Sequence, residues 1–248
     1  MHEAAYAALG LEEWRYQLLP VPPELLAETL RALPGAGFRG VNVTIPHKQA
    51  ALAAADQAGD AARAIGGANS LSFADGAIEA DNTDAPGLVA ALDDAGAQLS
   101  GARALVLGAG GTARAAAWAL REGGAADVLV WNRTHERARQ LAQDLDVHAV
   151  ETPAAADLLV NCTPVGLKSQ DDPFAALPLH RKDLGAYACV ADFAYGDTET
   201  RLAAAGRAAG ATVVDGLEIL VRQGALSFQR WTGRAAPLEA MRAAVRAS

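Results

Sequence analysis

The run ALVLGAGGTARAAAW, residues 104–118, constrains this chain more than any other stretch. An apolar strand stops on Gly108-Ala109-Gly110-Gly111, and a helix of small residues starts at Thr112-Ala113. Gly108, Gly110 and Ala113 stand in the spacing G-x-G-x-x-[GA]. The first position permits a tight turn and the second a close backbone approach to a pyrophosphate. The small third position lets helix and strand pack closely, and the helix N-terminus attracts the anion. A glycine turn is also a common structural device. The strand before it and the helix after it are what raise nucleotide binding above that alternative.

The same rhythm continues downstream. DVLVWNRTHERARQLAQDL reads as strand, loop and helix, DLLVNCTPVGL and ACVADFAY as apolar strands, TETRLAAAGRAAG as a helix and ATVVDG as a short strand. Strands alternating with helices imply a parallel sheet covered on both faces, hence an α/β fold with a Rossmann-type unit over residues 101–215. At the end of its second strand an acidic residue would bond the ribose hydroxyls of NAD. This chain has Asn132, Arg133 and Thr134 there. A guanidinium and a hydroxyl at that place suit a 2′-phosphate and favour NADP. The alternative is a solvated basic loop, since Arg137 and Arg139 follow closely.

Residues 1–100 read differently. Residues 3–10 suggest the end of a helix, RYQLLPV a strand, PPELLAETLRAL a helix with prolines in its first turn, and FRGVNVTI a second strand. Lys48 to Ala58 reads as a helix, and GANSLSFADGAIEADNTD as two strands around an Asp-Gly turn. APGLVAALDDAG is a helix leading out of this α/β unit. The tail holds two helices, LEILVRQGALSFQRWTG and PLEAMRAAVRAS, with no strand beside them. They are expected to fold back, so that residues 216–248 complete the first domain.

A formal charge of −8 argues against nucleic-acid or anionic-membrane partners. Cys162 and Cys189 are too few for a disulfide framework, which points to a reduced, cytoplasmic setting. No apolar run is long enough to span a bilayer, and no metal site is expected. In the first domain, Asn42, Thr44 and Lys48 end a strand, Asn69 sits in a loop, and Asn82, Thr83 and Asp84 open a helix. Singly, these are a turn asparagine, a surface lysine and helix caps. Together they offer an ammonium, a carboxylate, hydroxyls and amides, a set suited to a small polyhydroxylated ligand.

In these motifs the chain resembles the shikimate dehydrogenases. That family carries NVTxPxK, GAxNT, NTDxxG, GAGGxxxA, NRT, NxTPxG, DxxY and a late GxxMLxxQGxxxFxxWTG. This sequence has NVTIPHK, GGANS, NTDAPG, GAGGTARA, NRT, NCTPVG, DFAY and GLEILVRQGALSFQRWTG, in the same order. The resemblance implies reversible, NADP-dependent reduction of 3-dehydroshikimate to shikimate, in two domains with a cleft between them. It matches Lys48 to the catalytic lysine and Asp84 to its partner aspartate. Thr44, Asn69, Tyr195 and Gln223 match substrate-binding residues. Gly108, Ala109, Gly110, Gly111, Thr112 and Ala113 match the pyrophosphate loop, and Asn132, Arg133 and Thr134 the adenosine-phosphate site. Pro46 would end its strand and present Lys48 at the cleft.

The family also implies a strand and a serine-bearing turn, which holds the substrate carboxylate, ahead of Met1-His2. The expectation is a longer natural protein upstream. The alternative is a natural short form whose carboxylate contacts are lost or supplied elsewhere. Ile219 stands where a methionine is common, and His47, Gly67 and Ser70 vary the usual motifs. Two rival functions stay open: a quinate/shikimate dehydrogenase, which often prefers NAD and has an acidic residue where Arg133 stands, and a catalytically silent NADP-binding relative. A monomer and a homodimer fit equally well.

Overall fold

A computed structural model describes residues 1–168 and 171–247. The chain divides into two compact units, residues 1–87 with 221–248, and residues 88–220. Against the boundaries read from sequence, at 100/101 and 215/216, this division falls inside two helices, α5 (Asp84–Asp94) and α10 (Gly216–Thr232).

The first unit opens with α1 (His2–Ala8), then a 3₁₀ turn (Pro23–Leu25) running into α2 (Leu26–Ala32). After β1 (Gly40–Asn42) come α3 (Lys48–Ala54), β2 (Gln57–Ala58), α4 (Asp60–Ile65), β3 (Ser70–Ala74) and β4 (Ala77–Asp81). The sheet order is β1-β3-β4-β2. β3 pairs antiparallel with both β1 and β4, and β2 runs parallel to β4. Asp75 and Gly76 form the hairpin turn with φ of 50° and 79°, the left-handed pair that matches strand twist. Leu71, Ile78 and Ala80 on one face of the sheet pack with Leu26, Leu30, Ala51 and Ala62. A second cluster joins Ala5 and Tyr6 of α1 to Val221 and Phe228 of α10 and to Met241 of α11 (Leu238–Arg246). Trp231 Nε1 donates to the Leu71 carbonyl at 2.9 Å, and the absence of a side chain at Gly40 makes room for its indole.

Two local expectations change. RYQLLPV forms no strand and belongs to neither sheet. Alternation alone does not make a strand, which also needs a ladder partner, and the backbone N–H of Tyr16 bonds the Glu3 carboxylate instead. The helix expected to reach Ala58 stops at Ala54. Asp56 N–H and Gly59 N–H bond the carbonyls of Ile78 and Ala80, so this stretch is drawn into the sheet as β2. The α4 helix was not anticipated.

In the second unit, α5 leads to β5 (Arg103–Leu107), α6 (Gly111–Glu122), β6 (Asp127–Trp131), α7 (His135–Leu145) and β7 (His148–Ala149). Then follow β8 (Leu158–Asn161), the short α8 (Pro173–Ala176), β9 (Cys189–Asp192), α9 (Arg201–Ala208) and β10 (Thr212–Val214). All pairings are parallel, in the order β10-β9-β8-β5-β6-β7. Period-2 alternation sends Ala104, Val106, Val128, Val130 and Val160 into one core and Leu105, Leu107, Leu129, Leu159 and Val190 into the other. The sheet is therefore buried on both faces, as its near-continuous apolar strands require.

Candidate active site

Lys48 owes its position to a turn and a backbone anchor. β1 ends at Asn42, the His47 N–H bonds the Thr44 carbonyl at 2.8 Å, and α3 starts at Lys48. The Lys48 carbonyl then accepts from Ala68 N–H at 2.9 Å, tying the start of α3 to the loop that carries Asn69. On the other side, Asn82 caps α5 by accepting from Asp84 N–H (3.1 Å) and Ala85 N–H (3.3 Å). Its amide also donates to the Gly67 carbonyl at 2.9 Å. One asparagine therefore holds both the loop of Asn69 and the helix start of Asp84.

Lys48 Nζ donates to Asp84 Oδ2 at 2.6 Å, and the two side chains are only 13% and 11% exposed. The other Asp84 oxygen accepts from Asn69 Nδ2 at 2.8 Å. Asn69 Oδ1 accepts from Thr83 N–H at 2.6 Å, and its amide also reaches Gln223 Oε1 at 3.3 Å. Gln223 approaches because Gly87 leaves α5 bare. A methyl on Gly87 would lie 2.9 Å from both the backbone nitrogen and Cβ of Gln223. Lys48 uses one of its three donors on Asp84, so two remain for a ligand.

The structure thus brings Lys48, Asn69, Asp84 and Gln223 into one hydrogen-bonded network. Thr44 lies in the exposed turn before Lys48, and Tyr195 is 42% exposed in the second unit. Neither belongs to this network. Sequence reasoning singled out Asn42 and Thr83 but missed Ser227 and Tyr16, which extend the network. Thr83 Oγ1 lies 3.4 Å from Ser227 Oγ, Asn42 Nδ2 donates to that hydroxyl at 2.8 Å, and Tyr16 OH donates to Asn42 Oδ1 at 3.1 Å. Ser227 was detectable, being four residues after Gln223 on the same helix face. Tyr16 carried no signal, since its neighbourhood was misread as a strand.

In the second unit, Gly108 has φ of 112°, and a Cβ there would lie 3.3 Å from the Cys162 carbonyl. Gly110 caps α6, and a Cβ on it would point into open space. Space at that point, beside the unbonded N–H groups at the start of a helix, fits a pyrophosphate. Ala113 is fully buried between helix and sheet. At the end of β6, Asn132 Nδ2 bonds the Thr134 carbonyl at 2.9 Å, and Thr134 precedes α7. Arg133 is exposed and has no side-chain partner among the described residues. The donor set Asn132-Arg133-Thr134, free of carboxylate, fits the phosphorylated dinucleotide.

Comparison with known proteins identifies the family. Three family profiles match: the shikimate dehydrogenase substrate binding domain over residues 1–71, shikimate / quinate 5-dehydrogenase over residues 90–163, and the shikimate 5′-dehydrogenase C-terminal domain over residues 216–246. The shikimate dehydrogenase (NADP(+)) of Methanothermobacter thermautotrophicus is 39% identical, over 99% of this chain and 90% of the relative. Shikimate 5-dehydrogenase from Thermus thermophilus, solved with NADP(H) and shikimate, superposes with a TM-score of 0.89 at 40% identity, over 99% of this chain and 92% of that one. The 5-ketofructose reductase of a Gluconobacter strain shares the fold, with a TM-score of 0.88 at 30% identity, over 99% of this chain and 91% of that one. Near-complete coverage at about 40% identity, with a matching profile at both ends of the chain, establishes that this protein belongs to the shikimate dehydrogenase family.

Proposed function

We propose that this chain reversibly reduces 3-dehydroshikimate to shikimate with NADPH, residues 88–220 holding the dinucleotide and the other unit the substrate. The observation that carries the reading is the Lys48–Asp84 pair, 2.6 Å apart and largely screened from water, with Asn69 and Gln223 beside it. When bound, the cofactor supplies or accepts the hydride. Lys48 does the rest of the chemistry: its ammonium stabilises the negative charge that develops on the substrate's keto oxygen and delivers the proton. In the reverse direction, a neutral Lys48 accepts the hydroxyl proton. Asp84 orients Lys48, and with Asn69, Gln223 and Thr44 it binds the ring hydroxyls. Tyr195 is a further substrate-binding residue in this reading. Gly108 to Ala113 would hold the pyrophosphate, and Asn132, Arg133 and Thr134 the adenosine 2′-phosphate. The acidic charge and two cysteines suit a cytoplasmic enzyme.

The test is to follow NADPH absorbance with shikimate, quinate and, in reduction, 5-ketofructose, each with both dinucleotides. Turnover of shikimate with NADP⁺, well above that of quinate or with NAD⁺, is expected. Binding of NADPH without shikimate turnover would return the chain to the silent relative. Turnover of the keto-sugar alone would mark it as a sugar reductase.

A further inference from the structure

Asp192 is a fully buried carboxylate that the proposed mechanism does not use. It ends β9, in register with Asn161 at the end of β8. Asn161 is also fully buried, and its amide donates to Asp192 Oδ1 at 2.8 Å. Each member of this pair fastens the loop that follows its own strand. Asn161 Oδ1 accepts from the hydroxyl (2.7 Å) and N–H (3.1 Å) of Thr163, and Asn161 Nδ2 reaches the Val165 carbonyl at 3.2 Å. Asp192 accepts from Ala194 N–H at 3.0 Å and from the Thr200 hydroxyl at 2.6 Å, and Thr200 caps α9. The two loops also meet: a methyl on Gly166 would lie 3.2 Å from the Ala194 methyl. Burial raises the Asp192 carboxyl, while Thr200, Asn161 and Ala194 pull it back.

The sheet order says what these loops face. β5 carries the glycine turn, and β6, on one side of it, carries Asn132, Arg133 and Thr134. A dinucleotide bound there would straddle the turn, so its other half would lie toward the ends of β8 and β9. The Gly108 turn touches the first of these loops, since its added Cβ would meet the Cys162 carbonyl and Thr163. We infer that Asn161 and Asp192 are positioning residues: together they set the two loops that shape the nicotinamide half of the site, while taking no part in binding the adenosine half. This rests on the NADP reading above. The pair acts through backbone groups and hydroxyls of the two loops, and Asp192 accepts three hydrogen bonds there, from Asn161, Ala194 and Thr200.

The experiment compares the parent chain with Asp192→Ala, Asn161→Ala and Asp192→Asn. For each, binding of 2′,5′-ADP and of NADPH is measured by titration, kcat is measured with shikimate, and folding is checked by thermal melting. The alanine variants are expected to bind 2′,5′-ADP within about twofold of the parent, but to lose about 10- to 100-fold in kcat and to bind NADPH less tightly. Asp192→Asn keeps an acceptor for Asn161 and Ala194 and an amide facing the Thr200 hydroxyl, so it is expected to restore kcat to within about threefold. Should one alanine variant fail to fold, the other decides. A folded alanine variant with parental kcat overturns the inference. So does equal loss of 2′,5′-ADP and NADPH binding, or an Asp192→Asn variant as impaired as the alanine. A parent chain that binds neither nucleotide removes the cofactor reading itself, and this inference with it.

Discussion

Lys48→Ala removes the ammonium that sits 2.6 Å from Asp84 Oδ2. In the proposed reaction that group both steadies the growing negative charge and supplies the proton. Losing one preorganised donor at a developing oxyanion costs about 3–4 kcal/mol, a fall of about 10²–10³ in kcat. General-acid catalysis alone contributes about 10²–10⁴. One atom performs both tasks, so the two terms overlap and the expected loss is about 10³-fold. Ground-state binding behaves differently. Asn69, Asp84 and Gln223 remain, and one missing hydrogen bond is worth about 1 kcal/mol, so shikimate affinity should change by no more than about fivefold. Stability falls as well, because Asp84, about nine-tenths shielded, loses its counter-ion and keeps Asn69 Nδ2 at 2.8 Å. Stranding a buried charge costs about 3–5 kcal/mol, and the remaining amide makes this case milder. Adding Asp84→Asn to Lys48→Ala should therefore recover melting temperature without recovering rate. Steady-state NADPH absorbance gives kcat and KM separately, and melting gives the stability. A kcat within tenfold of the parent, or a loss confined to KM, would refute Lys48 as the proton donor.

Gly87→Ala places a methyl 2.9 Å from the backbone of Gln223, which α10 cannot easily yield. It should destabilise by about 1–3 kcal/mol and raise the shikimate KM with NADPH binding unchanged, and a parental KM would refute the close-approach argument. Arg133→Ala should weaken NADP⁺ binding about 10- to 100-fold while leaving NAD⁺ within about threefold, because a charged hydrogen bond to phosphate is lost. Equal effects on both dinucleotides would show that Arg133 does not read the 2′-phosphate. His2 is buried, and burial, opposed by the Asn42 side chain, lowers its pKa from 6.5 to about 4. The unfolded chain then takes up this proton first, so stability is full above pH about 6.5 and declines toward pH 4, by about 3 kcal/mol in total. His2→Phe should flatten that part of the melting-temperature profile. An unchanged slope between pH 6.5 and 4 would mean that His2 is not the group responsible.

The fold of the second unit was legible because its signals are local. Gly108, Gly110 and Ala113 act within one strand–turn–helix, and each apolar strand declares itself by composition. The first unit was harder. RYQLLPV has the residues of a strand, but pairing is a property of the whole sheet. β2 is two residues long and exists only because Asp56 and Gly59 reach β4, a contact that no periodicity announces. The polar residues of the site were visible as residue types, but their meeting followed only from the family resemblance and not from their spacing. Lys48 and Asp84 are 36 positions apart, and Asn69 and Gln223 are 154 apart. Asn82 could be read as a helix cap from its place before Asp84. Its second bond, to the Gly67 carbonyl, could not.

The discontinuity of the first unit has a consequence on the ribosome. Lys48, Asn69 and Asp84 leave the exit tunnel long before Gln223 and Ser227, because residues 88–220 must be made in between. At ordinary elongation rates of about 5–20 residues per second, the nascent chain waits roughly seven to thirty seconds for its last helices. For that interval Leu71 lacks Trp231, Tyr6 lacks Phe228, and the lysine–aspartate pair has no glutamine beside it. The second unit, made of one continuous stretch, has no such wait. A chain released just after residue 220 would therefore carry a complete second unit and an incomplete first one; under the proposed function it would hold the dinucleotide and be unable to spend it.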